Sequence, residues 1–132
     1  MPAKGIQHID LAVGDVERSL AFYTELLGPL GFREEARYPS YRGTEEVVYF
    51  SFGDEWIGFR PADGGEHRYY GVGLEHIAFL VDTPEEVEEA HGRAIDMGVR
   101  IHHPPEPDAD VPGYYAFFAF DPDGIRIEVF SE

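Results

Sequence analysis

Apolar and polar side chains alternate with period two over residues 6–13, Ile-Gln-His-Ile-Asp-Leu-Ala-Val, which predicts a half-buried strand. Gly14 breaks the alternation and Asp15 offers an N-cap carboxylate. Val16, Leu20, Tyr23, Leu26 and Leu27 then recur at helical spacing over residues 16–27, and Gly28 is expected to close that helix. Gly31-Phe32 begins a second extended segment reaching about Tyr38. Residues 47–52 predict a third strand, Gly53-Asp54-Glu55 a turn, and residues 56–60 a fourth strand. After a Gly-rich linker over 61–73 the pattern restarts. Residues 74–82 alternate as a strand, and Thr83-Pro84-Glu85-Glu86 combines an N-cap, a proline at the first helical position and a capping box. The helix is expected to run to Met97 and stop at Gly98. A short strand over 99–103, a Pro-rich acidic loop over 104–113 and a strand over 114–120 follow. Asp121-Pro122-Asp123-Gly124 predicts a tight turn and residues 125–130 a last strand.

The element order is therefore βαβββ, linker, βαβββ, and the halves also match in residues. His8-Ile9 corresponds to His76-Ile77, Gly31-Phe32 to Gly98-Val99, and the turn after Phe52 to the turn after Phe120. The predicted fold class is α+β. Two tandem βαβββ modules, about 5–61 and about 74–131, form curled mixed sheets around a cleft within one domain, 1–132. Each half presents one apolar helix face and one open sheet face. It must pair with its twin or with another chain, and a homodimer is the expected assembly.

Successive side chains of a strand point to opposite faces. Ile9, Leu11 and Val13 form the apolar face that suits the first helix, so His8, Asp10 and Ala12 point away from it. By the same rule His76, Ala78 and Leu80 oppose Ile77, Phe79 and Val81. Arg126, Glu128 and Phe130 oppose Ile125, Ile127 and Val129. Two imidazoles and a carboxylate on the helix-distal faces suit a divalent first-row metal (Fe, Mn, Zn or Ni), and three ligands leave positions open for water and substrate. His8, His76 and Glu128 are thus the candidate ligands. Trp56, Gly58 and Arg60 share the distal face of the fourth strand. Trp56, Arg60 and Tyr114 are candidate substrate-binding residues, with Arg60 suited either to a substrate anion or to an internal acid. His102 and His103 should alternate faces, so that at most one reaches the cleft.

The chain has no cysteine, which excludes disulfides and thiolate metal sites. Ten Lys and Arg against 26 Asp and Glu give a formal net charge of −16, a field that repels nucleic acid and anionic lipid. No apolar run reaches transmembrane length and no signal-peptide core follows Met1, so a cytoplasmic protein acting on a small molecule is expected.

Several motifs together resemble the vicinal-oxygen-chelate superfamily, which includes glyoxalase I, extradiol dioxygenases, fosfomycin-resistance transferases and bleomycin-binding proteins. They are His8-Ile9, residues 15–23 (Asp-Val-Glu-Arg-Ser-Leu-Ala-Phe-Tyr), Leu27-Gly28, Gly31-Phe32, His76-Ile77-Ala78-Phe79, Asp121-Pro122-Asp123-Gly124 and Ile127-Glu128. The resemblance implies paired βαβββ modules, a metal cleft, and dimers whose site can draw on two chains. In glyoxalase I a further glutamate on the fourth strand is a ligand. When the halves are aligned through Ile57 and Ile127, Gly58 stands at that place, and glycine has no side chain to ligate. Two histidines and one glutamate look more like the extradiol and fosfomycin-resistance members. The resulting expectation is a metal-dependent enzyme acting on a small oxygenated substrate as a lyase, isomerase or dioxygenase. The alternative is a metal-free small-molecule-binding resistance protein of the bleomycin-binding type.

Overall fold

The computed structural model describes residues 1–43 and 45–132. The chain divides into two compact units, Met1–Gly65 and Glu66–Glu132. The first holds β1 (His8–Val13), α1 (Val16–Leu27), β2 (Arg33–Pro39), β3 (Glu46–Phe52) and β4 (Glu55–Pro61). The second holds β5 (Ile77–Leu80), α2 (Pro84–Asp96), β6 (Ile101–Pro107), β7 (Tyr115–Phe120) and β8 (Arg126–Ser131). The sheets run β1-β4-β3-β2 and β5-β8-β7-β6. In each, the first strand lies parallel to the last and the other pairs are antiparallel. This is the mixed α+β arrangement of two βαβββ modules that the periodicity predicts. Among the described residues no helix is long and apolar enough to cross a membrane.

Each unit buries the apolar stripe of its helix against its own sheet. In the first, Tyr23, Leu26 and Leu27 of α1 are fully buried with Val48 and Phe59. Tyr23 lies 5.2 Å from Phe59, centroid to centroid, and Phe32 stacks 5.0 Å from Phe50. Aromatic rings supply large buried area in a small unit. In the second, α2 presents Val87, Ala90 and Ala94, all buried, as are Phe117, Ile127 and Val129 of its sheet. Small helix residues there leave room for the larger strand side chains.

Local chemistry sets the helix starts. Asp15 accepts from the Arg18 amide. Thr83 accepts from the Glu86 amide at 3.2 Å while the Glu86 carboxylate accepts from the Thr83 and Asp82 amides, which completes the capping box. At the end of α1 the structure corrects the expectation. Gly28 is right-handed (φ −54°) and leads into a 3-10 turn over Gly28–Leu30, and the left-handed residue is Gly31 (φ 99°). In the second unit Gly98 (φ 74°) follows α2 as expected.

Three further differences concern β6, Ile9 and the linker. The first part of the Pro-rich stretch expected as loop over 104–113, residues 104–107, joins β6, which pairs only with β7. An edge strand has no neighbour on its outer side, so prolines that donate no hydrogen bond are tolerated, with register shifts at Ile101/His103 and His103/Glu106. Ile9, expected in the core, is 38% exposed, whereas Leu11 and Val13 are buried. The later part of the expected linker is anchored to the second unit, with the His67 amide donating to the Asp123 carbonyl at 3.1 Å and Tyr69 packed on Phe120.

Thr83→Ala removes the side-chain half of the capping box. It should cost about 1 kcal/mol, read as a lowered urea midpoint at unchanged slope.

Candidate functional site

Parallel pairing of the first and last strand brings the candidate residues together in the same way in each unit. His8 pairs with Trp56, Asp10 with Gly58 and Ala12 with Arg60. In the second unit Ala78 pairs with Glu128 and Leu80 with Phe130, and His76 immediately precedes β5. The residue two places after each histidine therefore sits beside the position in question, Gly58 in one unit and Glu128 in the other. The observed register agrees with the alignment of the halves through Ile57 and Ile127.

In the second unit His76 Nε2 lies 3.1 Å from Glu128 Oε1. The carboxylate of Glu128 is buried, at 3% exposure, and its Oε2 accepts from the Tyr114 hydroxyl. On the other side of the ring, His76 Nδ1 lies 2.9 Å from Glu75 Oε2. Glu75 Oε1 in turn accepts from Arg126 at 2.5 Å, and Arg126 Nε donates to His102 Nδ1 at 3.0 Å. An imidazole that donates from Nδ1 to Glu75 turns the lone pair of Nε2 toward the Glu128 oxygen. In that tautomer two acceptors face each other at hydrogen-bond distance, an arrangement satisfied by a proton between them or by a cation. The donor set and its spacing therefore fit a divalent metal. A histidine ligand held through its other nitrogen by a carboxylate is the ordinary outer support of such a site.

The titration directions follow from these contacts. Burial, with Glu128 as hydrogen-bond acceptor, raises the Tyr114 phenol far above its ordinary range, so its hydroxyl stays a donor. Burial pushes the Glu75 carboxyl up, but the hydrogen bonds from His76 and Arg126 outweigh it, and the net direction is down. Burial, then the charges of His103, Arg126 and Arg100, push the His102 imidazole below its ordinary value, in keeping with an unprotonated Nδ1 facing Arg126. A cavity of about 350 Å³ is lined by His76, Tyr114, Phe118, Arg126 and Glu128, with Glu106 and Asp108 at its side.

The first unit has its own cavity, about 340 Å³, lined by His8, Tyr38, Tyr41, Tyr49, Trp56 and Arg60 among others. His8 Nδ1 lies 2.7 Å from Gln7 Oε1, which leaves Nε2 available, as Glu75 does for His76. Asp10 Oδ2 accepts from Arg60 at 2.5 Å and from the Tyr49 hydroxyl at 3.0 Å. Of the two roles open to Arg60, the structure thus shows the internal acid as its partner. Burial, with Asp10 as acceptor, raises the Tyr49 phenol. A Cβ on Gly58 would run into Asp10 Oδ1 and lie 2.6 Å from Tyr49 Cε1. The space over Gly58 is therefore already filled.

The predicted residues accordingly fall in two places. His76, Glu128 and Tyr114 meet in the second unit, and His8, Trp56 and Arg60 line the cavity of the first. Among the described residues, no three His, Asp or Glu side chains already form a metal-holding group. The expected alternation of His102 and His103 fails, because the register shift between Ile101 and His103 disrupts the pleat. Both rings instead lie against residues of one face of β7, His102 on Phe120 and His103 on Phe118. Sequence reasoning also missed Gln7, Glu75, Tyr49 and the Arg126 contacts. The first two carried a signal, since Gln7-His8 and Glu75-His76 occupy matched places in the repeat. Gly58→Ala should destabilise the first unit by about 1–3 kcal/mol through overpacking against Asp10 and Tyr49, measured by chemical denaturation.

Comparison with known proteins agrees with this geometry. The model of the Glyoxalase/Bleomycin resistance protein/Dioxygenase superfamily matches residues 5–129. A lactoylglutathione lyase of Salmonella typhimurium is 32% identical over 128 residues, covering 92% of this chain and 88% of the relative. A glyoxylase/bleomycin resistance protein/dioxygenase domain from Frankia superposes with a TM-score of 0.82 at 24% identity, over 98% of each chain. A mutant of the fosfomycin resistance protein FosX from Listeria monocytogenes, complexed with Mn(II) and 1S,2S-dihydroxypropylphosphonic acid, gives 0.74 at 25% identity. That match covers 97% of this chain and 92% of the neighbour. With a family match over nearly its whole length and the fold to go with it, the chain belongs to the glyoxalase/bleomycin resistance/dioxygenase superfamily.

Proposed function

We propose that this protein is a metal-dependent enzyme of the superfamily, acting on a small substrate that carries two neighbouring oxygens. His76 and Glu128 would hold a divalent first-row metal, His8 would supply the third ligand, and the working assembly would be a homodimer. The observation that carries the reading is the facing pair His76 Nε2 and Glu128 Oε1, with Nδ1 of His76 committed to Glu75. The matched Gln7–His8 contact supports the same role for His8. The Mn(II) complex of the Listeria neighbour supports a divalent metal at such a site.

Bound there, the metal would act as a Lewis acid that stabilises an oxyanion on the substrate. The protein's own groups have separate tasks. Tyr114 orients Glu128 by donating to its second oxygen, and its raised phenol keeps that proton. Glu75, clamped by Arg126, selects the ring tautomer that presents Nε2. Asp10 is held by Arg60 and Tyr49, which suits it to shaping the cavity rather than to abstracting a proton. The Salmonella relative is a lactoylglutathione lyase, but that chemistry uses a carboxylate from the fourth strand, where this chain has Gly58. Arg60 stays protonated and cannot replace it. A second reading, a metal-free binding protein, draws on the aromatic walls of the first cavity and is separated from the first by metal content.

Mn(II) titrated calorimetrically into chelator-stripped protein should bind at one site per chain. Glu128→Ala should abolish that binding, and Glu75→Gln should weaken it by roughly 10–100-fold. Undiminished affinity in both variants would exclude this ligand set. Supplied with zinc, nickel or cobalt, the protein should show negligible isomerisation of the methylglyoxal–glutathione hemithioacetal. Turnover on the order of 10 per second would show that the missing fourth-strand carboxylate is dispensable.

A further inference from the structure

The cavity of the first unit and its charges point to a more specific occupant. Its walls are aromatic. Tyr49 is the hub, with ring centroids 5.9 Å from His8, 5.9 Å from Tyr38 and 5.8 Å from Trp56. Tyr38 and Tyr41 stand at 51% and 90% exposure, large rings left facing solvent. Arg60, the one Lys or Arg among the described residues of the lining, is charge-paired with Asp10, which accepts from its NH2 group at 2.5 Å, while its Nε is buried out of a ligand's reach and has no partner. The 340 Å³ volume lies in the range of a small-ligand site. In the second unit the lining cation, Arg126, is likewise committed, to Glu75.

We propose that in the metal-free protein the cavity of the first unit takes an uncharged planar aromatic molecule in preference to its anionic counterpart, because Asp10 neutralises Arg60, the one Lys or Arg among the described residues of its lining. A carboxylate entering beside Arg60 would meet the negative charge of Asp10 at the same guanidinium and would lose its hydration without gaining a free cation. An uncharged ring loses little hydration and stacks on Tyr and Trp faces. The identification of this occupant as the substrate rests on the proposed metal site, since His8 lines the same cavity. The binding preference itself stands on the first unit alone.

Trp56 is the only tryptophan in the chain and lies in the cavity wall, so its fluorescence reports occupancy. Two nitroaromatic quenchers of similar size serve as probes, uncharged 4-nitrobenzyl alcohol and anionic 4-nitrobenzoate. They are titrated into the whole protein in chelator and again with Mn(II). About 1 M salt shortens the screening length to roughly 3 Å and removes the effect of the overall charge. In chelator the alcohol should quench saturably and bind at least about tenfold tighter than the benzoate, the scale of one lost charge-assisted hydrogen bond. Equal or tighter benzoate binding in chelator would show a free cation and overturn the proposal. Quenching of both probes that never saturates would show that the cavity is no ligand site. Asp10→Asn, checked for folding by circular dichroism, should release Arg60 and narrow or reverse the preference; an unchanged ratio would remove the pair from the explanation. Should that variant not fold, the two probes on the unaltered protein still decide. Saturable binding in chelator with no Mn(II) uptake would keep this inference and sink the metal reading. Mn(II) uptake without probe binding would do the reverse.

Discussion

Everything distinctive about this protein hangs on one pairing made twice, the parallel ladder between the first and last strand of each βαβββ unit. β1 and β4 are far apart in sequence, as are β5 and β8, and hydrogen bonding sets them side by side with a fixed register. Because a strand's side chains alternate, that register decides which residues share a face. It puts His8 and Asp10 next to Trp56 and Gly58, and Ala78 next to Glu128. A slip of one residue would turn the whole set to the opposite face. The helices take part indirectly: by burying Tyr23, Leu26 and Leu27, or Val87, Ala90 and Ala94, they fix which face of each sheet is core and leave the other for chemistry.

The two units differ in which strand carries the carboxylate. In the second, the last strand carries Glu128 and the first strand answers with Ala78. In the first, the last strand carries Gly58 and the first strand supplies Asp10. The neighbouring residue of the third strand follows suit. Tyr49 beside Gly58 can donate to Asp10, while Phe118 beside Glu128 brings no polar group and packs against His76 instead. The result is an electrostatic division of labour. One unit holds a buried carboxylate beside an imidazole nitrogen. The other holds its acid against an arginine and a phenol, in a cavity walled by aromatic rings.

Both arginines near these sites illustrate how a strongly acidic chain manages its few cations. Arg60 and Arg126 are largely shielded from solvent and each is tied to one carboxylate at 2.5 Å. Arg126 also lies over the Phe118 ring at 4.1 Å, which uses the planar guanidinium as a wall as well as a charge. Removing either acid would leave a shielded cation without its partner, a costlier change than losing an exposed ion pair.

Much of this was legible in the amino-acid order, because it is local. Period-two and period-3.6 patterns predicted the strands and helices, Thr83 and Glu86 announced their capping box, and the repeat paired His8 with His76 and Gly58 with Glu128 before any coordinates. Facing followed from alternation alone, up to the bulge that put His102 and His103 on one face and the edge strand that absorbed Pro104 and Pro105. What only the tertiary structure decided was the partner of each charge. Asp10 with Arg60, Glu75 with Arg126 and His76 with Glu128 are separated by 50, 51 and 52 positions. No spacing rule reaches that far, since the choice of partner depends on which strands lie side by side and how deeply each group is removed from water.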